Sequence, residues 1–375
     1  MMKKVIYADN AATTKLNSKA FEAMKPFLTD DFSNPSQPYS FSRRSKVALK
    51  EAREMIASCI NANPEEIFFT SGGTESDNWA LKEIVSTKTN AEIITSAIEH
   101  HAILNTCAFL EKKGTKIHYL PVNSSGAVLP EALIETIGEN TTLVSVMYAN
   151  NEIGTIQPIK ELTGVAHKNG ALFHTDAVQA VGHVSIDVKA LDVDLLSASA
   201  HKFGGPKGIG FLYIKQGTPI QPLLHGGSQQ NSMRAGTENV AAIVGMAVAL
   251  QESCAHVKDN QEYLLALESR FIEALDKTGL DYIRNGSENH LPGNINISIK
   301  DANGEMLLHR LDLMGICIST GSACDSVNNQ VSHVIKAIKV PIEYAEGTIR
   351  VSLNHYNTFD EVITIAESIG RIITM

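Results

Sequence analysis

The stretch "DLLSASAHKFGGPKGIGFLYIK", from Asp194 to Lys215, decides the fold of this chain. Its two apolar ends predict two buried strands, and the turn Gly204–Gly205–Pro206 between them sends the chain back. His201 and Lys202 directly follow the first of these strands. A solvated lysine does not need a run of small residues before it. Lys202 is therefore a candidate for binding a phosphate group or for forming a covalent imine.

The segments before this stretch alternate between strand-like and helical patterns. Apolar strand patterns occur in "EIFFT", "AEIITS", "KIHYLPV", "TTLVSVMYA" and "ALFHTDA", and segments with helical periodicity separate them. Buried strands that are connected by helices indicate a mostly parallel sheet covered on both faces. The predicted fold class is therefore α/β, with a large, mostly parallel sheet domain.

The last third of the chain shows a different pattern. A helical zone from Thr237 to about Gly279 is predicted to lead into a second lobe. Short strand patterns such as "GNINISI" and "GTIRVSL" alternate there with helical segments, which is typical of a smaller α+β domain.

Composition limits the functional classes. The chain has 375 residues, of which 43% are hydrophobic and 19% are charged, and its net charge is -9. The low charge content argues against extensive disorder, and the acidic balance argues against a surface that coats nucleic acid. No apolar run is long enough for a signal peptide or a membrane span, so we expect a cytoplasmic protein. Five widely spaced cysteines without a C-x-x-C pair predict a reduced compartment and no metal site.

Ligands of open α/β sheets bind beyond the carboxyl ends of the strands, so polar residues at those ends are candidates for function. The segment "TSGGTESDN" places Gly73 and Thr74 where a strand turns into a helix. Backbone N–H groups at such a turn suit a phosphate group. A helix cap formed by Ser71 or Thr74 is an equally good interpretation of this segment.

Three other strand ends carry polar residues. "SAIEHHAILN" contains His100 and His101, one of which could face a pocket, although two cap or surface histidines are the better interpretation of this segment alone. "MYANNEIG" places Asn151 in a loop, where its amide can orient a ligand. "LFHTDAVQ" places Asp176 at a strand end, with Gln179 three residues later. A buried carboxylate needs a partner such as a cationic ring nitrogen, unless it caps the next helix.

Ser199, His201 and Lys202 follow the last parallel strand and complete the set. Burial would lower the pKa of such a lysine and make its amine a nucleophile toward aldehydes. A phosphate cradle, a carboxylate, an imidazole and a lysine are what pyridoxal phosphate requires of a protein. Each feature is weak alone, but their order and placement together predict pyridoxal 5'-phosphate as the cofactor.

The second lobe adds two candidates. Cys324 lies in "STGSACDSVNNQ", which has no apolar periodicity, so its thiol is expected to be exposed and mobile. Arg350 lies inside the apolar strand "TIRVSL", where it could bind a substrate carboxylate or equally well form a structural salt bridge. The remaining cysteines are expected only to pack against apolar neighbours; they are Cys59, Cys107, Cys254 and Cys317.

The ordered motifs resemble a known family. They are "YADNAATT", "SNPS", "TSGGTESDN", "EHHAI", "NNEIGTIQP", "HTDAVQA", "SASAHKFGGPKGIG", "RAGTEN", "STGSAC" and "IRVSL". The chain is similar over nearly its whole length to cysteine desulfurases of the NifS/IscS type, in the class V aminotransferase branch of the fold-type I pyridoxal-phosphate enzymes. The resemblance implies a large cofactor-binding domain over residues 14–255. It also implies a small domain over residues 1–13 and 256–375 that carries the sulfur-accepting cysteine.

The resemblance implies a role for each matching residue. Lys202 would form the imine with the cofactor, His100 would stack on its ring and move protons, and Cys324 would accept the substrate sulfur. The cofactor would further be held by Gly73, Thr74, Asn151, Asp176, Gln179, Ser199, His201 and, from the other subunit of a homodimer, Thr237. The substrate carboxylate and its surroundings would be held by Asn34, Asn151 and Arg350.

The implied reaction converts L-cysteine to L-alanine, with the sulfur captured as a persulfide on Cys324. An acceptor protein of the scaffold or relay type would then receive the sulfur for iron–sulfur clusters or other sulfur-containing cofactors. Related readings are a selenocysteine lyase, a transaminase or another class V enzyme. An unrelated reading is a non-catalytic scaffold that retains the fold. No membrane or nucleic-acid partner is expected.

The sequence departs from the common family pattern at a few positions outside the cofactor site. These are Tyr39, Ser42, Gln230, Ser232, Asp325 and Asn354. They bear on loop conformation, rate and partner choice. A carboxylate at Asp325 is expected to raise the pKa of the neighbouring Cys324 thiol.

Overall fold

A computed structural model describes residues 5–320 and 331–374. Its strands, in chain order, are β1 Ile6–Tyr7, β2 Ile67–Thr70, β3 Glu92–Ser96, β4 Lys116–Leu120, β5 Thr141–Ser145, β6 Leu172–Asp176, β7 Leu195–Ser199, β8 Gly210–Ile214, β9 Tyr282–Asn285, β10 Asn294–Ile299, β11 Ile316–Cys317 and β12 Thr348–Ser352. Its α-helices are α1 Ser18–Thr29, α2 Arg43–Cys59, α3 Gly73–Val85, α4 His101–Glu111, α5 Pro130–Thr136, α6 Ile159–Lys168, α7 Val188–Leu191, α8 Val240–Ala255, α9 Val257–Asp276, α10 Gly304–Leu313, α11 His333–Ala337, α12 Ile342–Ala345 and α13 Phe359–Thr374.

Seven strands form one large sheet in the order β2–β8–β7–β6–β5–β3–β4. The four pairings from β7 to β4 are parallel, whereas β8 runs antiparallel to both of its neighbours. The antiparallel return of β8 follows from the Gly204–Gly205–Pro206 turn. Gly204 adopts φ +82°, and a Cβ on Gly205 would come within 2.7 Å of Ala200 Cβ. The predicted mostly parallel α/β sheet is confirmed.

Helices cover both faces of this sheet. Adjacent strand residues alternate between two apolar clusters, so that Leu196 packs on one side and Leu195 on the other. The first cluster includes Ile56 of α2 and Ile243 of α8, and the second includes Trp79 of α3. Burial on both faces explains why the strands are continuous apolar runs rather than alternating patterns.

A second lobe has its own core. The antiparallel sheet β12–β10–β9 packs against α9, α10 and α13, and the cluster also includes Ala8 from the N-terminal segment. The division at residues 14–255 stays a prediction, although each lobe has a separate apolar cluster on its side of that division.

The helical zone predicted from Thr237 to Gly279 is not one helix. It breaks at His256, which leaves the helical conformation with φ -117° and ψ 12°, and α8 and α9 meet there at a bend of 69°. Within the described ranges, no single helix is long and apolar enough to span a membrane. Only this bent pair passes the length and composition criteria together.

Candidate active site

A cavity of about 270 Å³ opens at the carboxyl ends of the parallel strands, next to the N-terminus of α3. Most of the site residues predicted from the sequence line it. They are Gly73, Thr74, His100, Asn151, Asp176, Gln179, Ser199, His201, Lys202 and Arg350. Residues from β6, β7, α3 and α4 converge there because parallel strands point their carboxyl ends to one edge of the sheet.

The N-terminus of α3 forms one wall of the cavity. Its cap residue is Gly72, with φ +149° and no side-chain cap. The cap proposed for Ser71 or Thr74 is therefore wrong. The Ser71 N–H instead donates to the Glu75 carboxylate at 2.8 Å. A helix end without a side-chain cap presents its N–H groups and positive dipole to an anion.

Lys202 ends a short 3₁₀ turn directly after β7. Its Nζ donates to the backbone oxygens of Ala11 at 2.6 Å and of Ala12 at 2.8 Å. The N-terminal segment therefore forms part of the lysine's environment, a contact across 191 positions that no local pattern could predict. Lys207 is exposed beyond the turn, near His201 and Gly208 at the outer rim.

His100 both caps a helix and faces the cavity. Its Nδ1 accepts a hydrogen bond from the Ala102 N–H at 3.1 Å, at the start of α4. Burial lowers the pKa of His100, and Asp176 partly opposes this effect. A neutral ring with an accepting Nδ1 carries its proton on Nε2. His101 points elsewhere and packs edge-on against His333, with ring centroids 5.2 Å apart.

Asp176 ends β6 at the floor of the cavity. Its Oδ1 accepts a hydrogen bond from the Val178 N–H at 2.9 Å. The residues that follow form a turn rather than a helix, so the alternative of a helix cap is wrong. Burial raises the pKa of Asp176, whereas His100 and Lys202 lower it. Gln179 lies beside it and donates from Nε2 to the backbone oxygen of Ala11 at 3.0 Å.

Asp77 is a cavity residue that the sequence reasoning missed. It is 1% exposed, and its Oδ1 lies 3.7 Å from His174 Nε2 and has no hydrogen-bond partner within the described ranges. Burial raises the pKa of Asp77 well above its usual range, and the charge of Asp176 adds to this shift. Burial also lowers the pKa of His174 to about 3, so this histidine is a neutral neighbour. Helical spacing could have identified Asp77, because it follows Gly73 by one turn on the same face of α3.

Arg350 lies in β12 and reaches the cavity from the second lobe. Its guanidinium donates from Nη1 to the Asn151 backbone oxygen at 2.8 Å and pairs through Nη2 with Asp9 at 2.7 Å. The structural salt bridge that the sequence left open is therefore present. Among the described residues, its buried Nε has no hydrogen-bond partner, which leaves one donor for a ligand at the cavity wall.

Two predicted residues of the described ranges do not line this cavity. Asn34 lies in another loop, where its Oδ1 accepts from the Ser36 N–H at 2.9 Å. Thr237 is exposed on the surface of this chain. Cys324 lies outside the described residues, as does Asp325. Within the described ranges, no group of three or more potential metal ligands occurs.

The described departures from the family pattern have separate structural settings. Gln230 accepts hydrogen bonds from Arg53 Nη2 at 2.8 Å and the Phe69 N–H at 3.2 Å, and it donates to Glu238. Ser232 adopts φ +64°, where glycine is favoured, whereas Ser42 has an ordinary φ of -80°. Tyr39 is half exposed, and Asn354 accepts no hydrogen bond at its buried Oδ1.

The residues present fit pyridoxal phosphate. The uncapped N-terminus of α3, with Ser199 and His201 beside it, suits a phosphate group. Burial raises the pKa of the Asp176 carboxyl, and a protonated ring nitrogen beside it would stabilise its charged form. The Lys202 amine opens onto the same cavity.

The comparisons with known proteins agree with this geometry. The family model described as aminotransferase class V matches residues 6–365, so the chain belongs to that family. A cysteine desulfurase named IscS from Dictyoglomus turgidum is 50% identical, covering 99% of this chain and 95% of that protein. This likeness confirms the predicted family resemblance and identifies the chain as an enzyme of the cysteine desulfurase group.

Two solved structures are similar over most of their length. A NifS-like protein superimposes with a TM-score of 0.93 and 38% identity, covering 99% of this chain and all of that one. A structure described as SspA in complex with cysteine has a TM-score of 0.84 and 36% identity, covering 94% of this chain and all of that one. Together they confirm the α/β fold predicted from the sequence.

Proposed function

We propose that this enzyme is a pyridoxal-phosphate-dependent cysteine desulfurase that converts L-cysteine to L-alanine. The single observation that supports this most is the convergence of Lys202, Asp176 and His100 on one cavity beside an uncapped helix N-terminus. The cysteine bound to the similar SspA structure supports the choice of substrate. When bound, pyridoxal phosphate supplies an aldehyde and a ring that withdraws electron density from the substrate Cα.

Residues of this chain would bind and orient the cofactor and move the protons. Asp176 would keep a ring nitrogen protonated, because its buried negative charge is stabilised by a cation in contact with it. Gln179 would orient the ring hydroxyl, and the first turn of α3 with Ser199 and His201 would bind the phosphate. Lys202 would bind the aldehyde and, when the substrate amine takes its place, its Nζ would remove the Cα proton.

Recognition of the substrate carboxylate would fall to Arg350. Its buried Nε lacks a partner, and Asn151 orients the same guanidinium through a backbone oxygen. Cys324 would attack the substrate Sγ as a thiolate, so that an S–S bond forms, the Cβ–Sγ bond breaks and its electron pair stays with Cβ. A persulfide would be left on the enzyme. His100 would stack over the ring, and its Nε2–H would supply a proton to the alanine carbon that leaves the sulfur.

The wider roles remain part of the proposal. A homodimer in which Thr237 completes the partner's cofactor site would account for the exposure of Thr237 on this chain. Asn34 stays a predicted substrate-binding residue. An acceptor protein would take the persulfide sulfur for iron–sulfur clusters or another sulfur-containing cofactor. Location in the cytoplasm stays a prediction.

The test is a product assay with purified enzyme, added cofactor and L-cysteine. We expect equimolar alanine and reducible sulfur, with persulfide found by mass spectrometry on the peptide that contains Cys324. Cys324→Ala should abolish the persulfide while retaining the cofactor spectrum. Faster alanine release from L-selenocysteine that persists in Cys324→Ala would instead indicate a selenocysteine lyase. Transfer of an amino group to a keto acid would indicate a transaminase.

A further inference from the structure

Residues 228–239, the arm, lead into α8 and carry Thr237 on the surface of the chain. Three consecutive residues of the arm have a left-handed backbone: Gln230, Asn231 and Ser232, with φ values of 49°, 56° and 64°. Residues other than glycine visit this conformation singly, so a run of three without glycine is unfavourable. Such a run persists only where neighbouring contacts hold it, and strained backbone of this kind is concentrated at functional sites.

The side chain of Gln230 supplies contacts that hold the run. It is 5% exposed, and its amide makes three hydrogen bonds. Its Oε1 accepts from Arg53 Nη2 of α2 at 2.8 Å and from the Phe69 N–H of β2 at 3.2 Å. Its Nε2 donates to Oε1 of Glu238, the residue after Thr237, at 2.9 Å. An amide can accept from a guanidinium and donate to a carboxylate at once, whereas an ionised carboxylate in its place could only accept.

Two arginines anchor the arm to elements of the cofactor site. Arg53 is itself held in place, because its Nη1 donates to the Ile67 backbone oxygen and its guanidinium lies 4.5 Å from the ring centroid of Phe69. Arg234 of the arm pairs with both oxygens of Glu75, from Nε at 2.8 Å and from Nη2 at 3.0 Å. Glu75 lies in the first turn of α3. The arm is therefore attached to β2 and α3, the strand and the helix that flank the turn of the proposed phosphate site.

We propose that Gln230 is a positioning residue for the cofactor of the partner subunit. Its amide holds the arm in the conformation in which Thr237 reaches the partner's phosphate site. The inference rests on the proposed homodimer, and it adds the residue that prepares this contact. Because bonds within one chain already order the arm, cofactor binding does not have to be offset by the entropy of ordering it.

Gln230→Glu keeps the size of the side chain and removes one hydrogen bond. An ionised carboxylate can still accept from Arg53 and from the Phe69 N–H, but it cannot donate to Glu238 and meets its negative charge instead. At alkaline pH we expect the cofactor to dissociate from the holoenzyme roughly tenfold faster. As the pH falls, the two carboxylates share a proton that restores the hydrogen bond, so the difference from the unsubstituted enzyme should shrink. Decay of the absorption band of the lysine-bound cofactor after dilution measures the rate, and an unchanged rate at every pH would overturn the proposal.

Exchanging the two partners tests the hydrogen bond itself. The double variant Gln230→Glu with Glu238→Gln restores one amide–carboxylate bond, so the cofactor should again dissociate slowly at every pH. Dissociation as fast as in Gln230→Glu alone would show that this bond does not hold the arm. Gln251→Glu is the matched control, because Gln251 is exposed on α8 and gains the same charge. Its dissociation rate should equal that of the unsubstituted enzyme.

Mixed dimers separate positioning of the partner's cofactor from a structural effect within one chain. Two differently tagged chains, one with Gln230→Glu and one with Lys202→Ala, are purified together. The site that retains Lys202 is then completed by an unaltered arm, so its cofactor should dissociate slowly. When both substitutions are placed on one chain and the other chain is unsubstituted, the site that retains Lys202 receives the altered arm and should lose its cofactor roughly tenfold faster.

The outcomes of the mixing experiment are distinct. Fast dissociation that follows the chain with Gln230→Glu, rather than its partner, would overturn the proposal, because the amide would then act only within its own chain. If no mixed dimers can be purified, both the proposal and the proposed homodimer are wrong. An absorption band that survives in dimers made only of Lys202→Ala chains would instead contradict the role proposed for that lysine.

Discussion

The imidazole of His183 holds the backbone of the lysine at the active site: its Nε2 lies 2.9 Å from the Lys202 carbonyl oxygen. Burial lowers the pKa of His183, so the ring is neutral and Nε2–H donates. The backbone oxygen of His183 in turn accepts a hydrogen bond from Gln261 Nε2 of α9 at 2.9 Å. The second lobe is thereby connected to the turn that carries Lys202.

We predict that His183→Ala lets the Lys202 backbone move from its place at the cavity. The substitution removes no group that would touch the cofactor. A small misplacement of a reacting group can reduce a rate by roughly tenfold to a hundredfold. The expected result is a lower kcat with a smaller change in KM. His183→Gln can donate from its amide and should recover most of the loss. Equal losses in both variants, accompanied by a lower Tm in both, would indicate a role in stability alone.

The two lysines around the Gly204–Gly205–Pro206 turn should behave differently. Lys202 opens onto the cavity and Lys207 is exposed at its rim. We predict that Lys202→Ala loses the visible absorption band of the lysine-bound cofactor and all desulfurase activity. Lys207→Ala should keep the band and at most weaken cofactor binding. An absorption spectrum of each purified variant after cofactor addition measures this, and an unchanged band in Lys202→Ala would contradict the assigned role.

Asp77 and Asp176 are both buried at the cavity floor, but they should not both be ionised. Asp77 lies beside the neutral His174 and beside Ser197, and the charge of Asp176 raises its pKa further. Two carboxylates in one buried site share a proton, and the group with less support for its charge retains it. We therefore assign the proton to Asp77 and the charge to Asp176.

The isosteric substitutions test this assignment. Asn resembles a protonated carboxyl group, so Asp77→Asn should change kcat by only a few-fold. Asp176→Asn removes the negative charge that would keep the cofactor ring nitrogen protonated, and it should reduce kcat by roughly a hundredfold or more. Steady-state rates with L-cysteine and the pH dependence of the cofactor spectrum measure the difference. A spectrum whose pH dependence shifts as strongly in Asp77→Asn as in Asp176→Asn would show that Asp77 is charged.

How much of the site the sequence predicts depends on how far apart along the chain the contacting residues are. Lys202, Asp176 and His100 follow strands directly, so local periodicity and the geometry of parallel sheets are enough to bring them together. The Ala11 and Ala12 carbonyls reach Lys202 because a distant segment packs there, and no local pattern encodes that contact. Asp77 differs, because its helical phase relative to Gly73 can be read from the sequence.

The fold shows the same division. The return of β8 was readable from the Gly-Gly-Pro turn, because those residues restrict the backbone locally. The bend between α8 and α9 was not, since neither glycine nor proline stands at His256. The apolar side chains of α8 pack in the cluster of the large sheet, whereas those of α9 pack in the cluster of the second lobe, so tertiary packing overrides a continuous helical pattern.

Ser232 and Ser42, two of the positions that depart from the family pattern, should respond oppositely to substitution by glycine. Ser232 has φ +64°, a left-handed conformation that costs a residue with a Cβ roughly 1 kcal/mol. Ser42 has φ -80°, and its buried hydroxyl donates to the backbone oxygens of Gln37 and Tyr39 at 2.6 and 2.8 Å. We predict that Ser232→Gly raises the free energy of unfolding by about 1 kcal/mol. Ser42→Gly should lower it by about 1 kcal/mol or more. Urea denaturation of both variants measures these changes, and a gain in Ser42→Gly would contradict the argument.

The ion pair of Glu268 with His290 should make stability depend on pH. Glu268 is 4% exposed and accepts from His290 Nε2 at 2.8 Å, and Arg284 also pairs with it. Despite burial, these partners lower the pKa of Glu268, and the carboxylate raises the pKa of His290. A lowered carboxyl pKa stabilises the fold above the unfolded value of about 4.3, and this gain is lost as the pH falls. A raised histidine pKa stabilises it below about 6.5, and that gain is lost as the pH rises through the folded value.

The contribution of the pair is therefore largest between about pH 4.3 and pH 6.5. We predict that His290→Gln lowers Tm most within this window and progressively less as the pH rises through the raised pKa of His290. Scanning calorimetry of both proteins across the range measures the difference in Tm. His309→Gln is the matched control, because His309 is exposed and lies 3.8 Å from Glu305 on the surface of α10. An exposed pair contributes little, so its Tm difference should stay small at every pH. A Tm difference for His290→Gln that does not vary with pH would show that packing of the ring, rather than its charge, stabilises this part of the second lobe.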